Sequence, residues 1–98
     1  MSIREKDNAI YIDEFTFIRT CSACPEQYDV FLGGKQQVGY VRLRWSQLRA
    51  DYPTAGEETV YNAIIDSSSH FRGCFKSEEQ RIYYLSEIAK VIREKLVE

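Results

Sequence analysis

No apolar run in this chain approaches the roughly 20 residues that a membrane helix needs. Its first eight residues, Met1 to Asn8, are charged and carry no signal-peptide pattern. The expected location is therefore the cytoplasm, with no membrane partner. An excess of one charge is lacking too: 13 Lys and Arg against 15 Asp and Glu leave a net charge of −2. No global basic field exists to draw in nucleic acid, which is not an expected partner. Cysteine is scarce at three, an odd number without a secretion signal, so a structural disulfide framework is not expected. Repeats, low-complexity linkers and glycine-rich phosphate loops are missing as well. The 98 residues read as one domain, 1–98, with residues 1–8 a polar leader expected to fray.

What is present suits a sheet. Aromatic residues make up 13% of the chain, with seven Tyr and five Phe, and such rings fill pleated, half-buried surfaces. The run Ile10–Arg19 is β-like, but Ile10 and Ile12 fall out of phase with Phe15 and Phe17, which implies a bulge or break near Asp13–Glu14. Gln27–Leu32 reads as a second strand. Gly33-Gly34 then supplies the positive φ of a hairpin turn. The return strand, Val38–Trp45, has unlike faces: Val41, Leu43 and Trp45 on one, Tyr40, Arg42 and Arg44 on the other. A three-residue loop would set Tyr28 opposite Tyr40; a loop one residue shorter or longer would place Tyr28 with Val41. The three-residue loop is the preferred reading. After a turn near Ser46–Gln47, Leu48–Tyr52 and Glu58–Ile65 follow, the last apolar on both faces and so a candidate central strand.

The final segment is a helix over about residues 77–97. Ser77 with Gln80 three residues later is a capping-box signature, and Glu78 and Glu79 complement the helix dipole. Ile82, Leu85, Ile88, Ala89, Ile92 and Leu96 form its apolar stripe. The expected fold class is α+β: an antiparallel β-meander of four to five strands with one C-terminal amphipathic helix packed on the Val41/Leu43 face.

Three functional readings follow. The leading one is a small non-enzymatic binding or protein-interaction domain that uses the Tyr/Arg face, Tyr40, Arg42, Arg44 and Arg49, in self-association or toward a protein partner. The second is a zinc-binding domain built on Cys21, Cys24, His70 and Cys74, because C-x-x-C sets two thiolates at adjacent corners of a tetrahedron. The third is an enzyme or binder for a small anionic ligand held by Arg42 and Arg44. A catalytic dithiol at Cys21/Cys24 is disfavoured, since Pro25-Glu26-Gln27 leads into a strand and no helix N-terminus is there to activate a thiol. Ser67, Ser68 and Ser69 beside His70 lack the strand-to-helix elbow of a hydrolase nucleophile. Glu57 and Glu58 are adjacent, so in a strand they point to opposite faces and cannot share a proton.

The stretch YDVFLGGK through VGYVRL, residues 28–43, resembles the hairpin of acetyltransferase-like domains. That family's pantetheine-binding glycine turn, which opens a helix, is absent from SEEQRIYYL, so the likeness transfers no functional residue.

Overall fold

A computed structural model describes residues 9–21, 24–65 and 73–97. Among the described residues six strands form one antiparallel sheet in sequence order: β1 (Ala9–Ile12), β2 (Phe15–Arg19), β3 (Glu26–Leu32), β4 (Gln36–Arg44), β5 (Gln47–Tyr52) and β6 (Glu58–Ile64). The helix α1 (Glu78–Leu96) follows.

The sixth strand comes from the out-of-phase run near the N-terminus, which is a hairpin of two strands and not one bulged strand. Asp13, at φ 53°, and Glu14 form a two-residue turn, so Ile12 pairs with Phe15 and Ile10 with Phe17. Residues three and seven apart thereby share a face. That is the odd spacing the sequence shows.

The β3–β4 hairpin does have the three-residue loop Gly33-Gly34-Lys35, with Leu32 opposite Gln36. A register shift at Val30/Phe31 then intervenes: Phe31 faces Gln37 but Val30 faces Gly39, leaving Val38 as the extra residue. Tyr28 consequently lies opposite Val41, not Tyr40. One inserted residue moves the side chains beyond it to the other face.

Core packing follows from this register. Phe15, Phe17, Tyr28, Val30, Val41, Leu43, Leu48 and Ala50 meet Leu85, Ile88, Ala89 and Ile92 of α1 in one buried cluster. The helix therefore covers the Val41/Leu43 side. Its N-terminus is capped as the sequence implies: Ser77 accepts the Gln80 N–H at 3.0 Å, and the Gln80 side chain accepts from the Lys76 N–H at 2.8 Å. At its far end Arg93 pairs with Asp13 and Glu14 of the β1–β2 turn, and Lys95 with Glu58 of β6. The Arg93 hydrogen bond holds the Glu14 carboxyl below its ordinary value.

Gly39 marks the closest approach of helix to sheet. A Cβ there would stand 2.7 Å from Ile92 Cδ1 and 3.3 Å from Val30 Cβ. The Ile92 methyl can yield, but the Val30 Cβ is fixed by its backbone. Gly39→Ala is expected to cost about 1 kcal/mol in urea unfolding, the low end for overpacking a core.

Strand β6 is an edge strand rather than a central one. Its two apolar faces have separate causes. Tyr61 and Ala63 lie opposite Ala50 and Leu48 on the helix side, whereas Ile64 is 62% exposed. Among the described residues no helix is long and apolar enough to cross a membrane.

Candidate functional site

The face that α1 leaves uncovered carries Gln27, Asp29, Tyr40, Arg42, Arg49 and Asn62, by strand alternation and pairing. Arg42 lies directly opposite both Gln27 on β3 and Arg49 on β5. Like charges opposed across strands oppose folding, so carboxylates would be expected nearby. One of them, Asp51, pairs with Arg49, and Glu58 is engaged elsewhere. Asp51 accepts from the Gly56 N–H and the Thr59 hydroxyl, both at 2.9 Å, and stands 3.4 Å from Arg49 Nε. Glu58 pairs with Lys95. Burial pushes the Asp29 carboxyl above its ordinary value, partly offset by a hydrogen bond from Gln37. Among the described residues, Arg42 and Arg44 have no carboxylate partner.

The sequence reading places Trp45 on the buried face of β4, and the structure places it elsewhere. Strand β4 stops at Arg44, which pairs with Gln47, so Trp45 and Ser46 are the two turn residues. Both have left-handed backbones, φ 56° and 62°. Two-residue hairpins need this conformation, and glycine or asparagine normally supplies it; a bulky residue there is an outlier. The tip is nonetheless held. Ser46 is buried, and its carbonyl accepts the Ile65 N–H at 3.0 Å. Trp45 is thus presented 57% exposed on a braced turn.

Two adjoining cavities flank this tip. One, of about 130 Å³, is lined by Arg42, Arg44, Trp45, Gln47 and Arg49. The other, of about 220 Å³, is lined by Cys24, Pro25, Arg44, Trp45 and Gly73. Of the residues singled out from sequence, Arg42, Arg44 and Arg49 come together here. Tyr40 stands one step along the same face, its hydroxyl donating to Gln27 at 3.2 Å. Tyr28 is not part of the face: it is buried under α1, as its register requires.

The cysteines depart from expectation. Cys24 and Cys74 form a disulfide spanning 50 residues, with Cα atoms 5.4 Å apart. It fastens the start of β3 to the segment entering α1, next to the Glu26 N–H donating to the Gly73 carbonyl at 2.7 Å. Two of the four donors in the zinc reading are thereby joined to each other, and a disulfide offers a metal no thiolate. Cys21 is a half-buried thiol, and His70 and the three serines before it lie outside the described residues. No group of three or more metal-ligating side chains occurs among the described residues.

Beside the disulfide, Glu26 is a buried carboxylate at the first position of β3, one residue before the strand start expected from sequence. It accepts from the Tyr28 hydroxyl at 2.7 Å, the Phe75 N–H at 2.9 Å, and Arg81 through Nε at 3.0 Å and Nη2 at 2.8 Å. Burial raises the Glu26 pKa, but the hydrogen bonds from Arg81, Tyr28 and Phe75 outweigh it and leave the group below its ordinary value. Burial and the neighbouring carboxylate push the Tyr28 hydroxyl the other way, upward. Four donors on two buried oxygens leave no open position for a substrate. This cluster joins helix to sheet, and the open chemistry lies at the β4–β5 tip. Comparison of the chain with protein-family models, with curated proteins and with solved structures found no match.

Proposed function

We propose that this protein is a non-enzymatic binding module whose contact surface is the β4–β5 end of the sheet face opposite α1, and that what it binds there carries a phosphate or a carboxylate. The observation that supports this is the Arg42–Arg49 opposition, with Arg44 beside it: Asp51 pairs with Arg49, but among the described residues Arg42 and Arg44 have no carboxylate partner. Guanidinium groups side by side can fork onto such an anion, and the anion removes the repulsion that the free fold carries. Their strand positions hold the geometry before a ligand arrives.

A thermal-shift titration with inorganic pyrophosphate tests this reading. A ligand present at 100 times its Kd stabilises the folded state by about 2.7 kcal/mol. That corresponds to roughly 10–20 °C in a domain this size. The rise should shrink as sodium chloride increases, and Arg42→Thr should abolish it. A melting temperature unmoved by pyrophosphate at low salt would remove the reading.

A further inference from the structure

The two cavities at the hairpin tip differ in chemistry but share Arg44 and Trp45. The smaller is otherwise lined by Arg42, Gln47 and Arg49; the larger, among the described residues, by Pro25, Gly73 and the disulfide-bonded Cys24, all small or apolar. We propose that they form one site for a small molecule in which a planar ring is joined to a phosphate, the mononucleotide and aryl phosphate class. The proposal rests on the anion-binding reading above and names its ligand.

The phosphate fits the arginine side. Arg42 and Arg49 face each other across adjacent strands, with Arg44 two residues along. The ring fits the apolar side for two reasons. A cavity of about 220 Å³ has room for a one- or two-ring heterocycle. Two of its lining residues also carry planar groups, the Trp45 indole and the Arg44 guanidinium, of the kind that stacks on ring faces. An alkyl chain would use the apolar area but neither plane. The left-handed turn supports the same conclusion. Holding a tryptophan where asparagine or glycine would sit without strain sets the indole at the seam of the two cavities, and backbone strain of this kind gathers at functional sites.

Trp45 is the only tryptophan, so a single indole N–H resonance reports on the seam. In nitrogen-15 correlation spectra, adenosine 5′-monophosphate should shift that resonance together with the Arg42 and Arg49 amides. It should bind at least tenfold more tightly than inorganic phosphate. Trp45→Asn suits the left-handed turn and so keeps the fold; it should lower the affinity for the nucleotide to that for phosphate and leave phosphate binding unchanged. Equal affinity for phosphate and nucleotide in the natural protein would overturn this proposal while leaving the anion site standing. Shifts with neither would overturn both. Tighter binding of a single-stranded oligonucleotide than of the mononucleotide would move the ligand to another class and also overturn it.

Discussion

Replacing Arg81 with methionine is expected to lower the stability of this domain by about 3–5 kcal/mol, because it strips the counter-ion from a buried carboxylate. Glu26 is fully buried, and Arg81 supplies two of its four hydrogen bonds and its only positive charge among the described residues. Without that guanidinium, burial is the dominant influence on Glu26, and its pKa should move from below the ordinary glutamate value to above it. The pH dependence should then change sign. In the natural protein the depressed pKa means that the Glu26 contribution is complete above about pH 4.3 and drains away as pH falls through the folded value. In the variant a raised pKa favours the protonated, neutral form, so stability should recover on acidification from pH 7 to pH 5. Urea unfolding at pH 7, 5 and 3.5 reads both effects. A variant as stable as the parent at pH 7, or parallel pH profiles for the two, would contradict this account of the cluster.

Removing the disulfide is the second large effect. Cross-linking residues 50 apart restricts the unfolded chain by about 4 kcal/mol on the loop-entropy estimate. Cys24→Ser with Cys74→Ser should therefore lower the unfolding free energy by about that amount under oxidising conditions. The natural protein with excess reductant should behave like the double variant. Cys21→Ser should leave stability almost unchanged, since Cys21 lies outside the bond. The three-way comparison also addresses the metal reading. If reduced protein is stabilised by added zinc, and Cys21→Ser removes that stabilisation, the thiols form a metal site once the disulfide is opened. If zinc changes nothing, they do not.

How far the sequence discloses this structure depends on the range of the interaction involved. The helix is legible in full because its determinants are local. Ser77 and Gln80 cap it, and Leu85, Ile88, Ala89 and Ile92 recur on one face of a 3.6-residue period. The face assignment of Val41 and Leu43 follows from simple alternation. The first hairpin is half legible: the phase change between Ile12 and Phe15 is plain, but a bulge and a two-residue turn produce the same pattern. The β3–β4 register is not legible. Val38 and Gly39 are both small and both buried, so hydrophobic matching cannot say which is the inserted residue. What favours Gly39 there is not local: a Cβ at that position would crowd both Val30 on the neighbouring strand and Ile92 of the helix, 53 positions later.

At the candidate site, Arg42, Arg44 and Arg49 are found from strand alternation, but Trp45 is missed. Propensity argues against tryptophan in a left-handed turn, so the turn is displaced by one residue and the indole sent to the core. The pairing of Arg44 with Gln47, which closes a two-residue loop, is visible only in the structure. Glu26 and the Cys24–Cys74 bond are out of reach for a different reason. Each joins residues about 50 positions apart, and no local pattern announces either.

The central claim is that the opposed arginines serve a ligand and not the fold, and one variant measured twice tests it. The melting temperature of Arg42→Thr, without and with saturating pyrophosphate, should first equal or exceed that of the natural protein. Relief of an opposed like-charge pair is worth about 0.2–1 kcal/mol, or roughly 1–8 °C in a domain of this length. It should then fail to rise when the anion is added. A variant that melts several degrees below its parent in plain buffer, or that still gains stability from pyrophosphate, would show that Arg42 belongs to the scaffold and that the anion binds elsewhere.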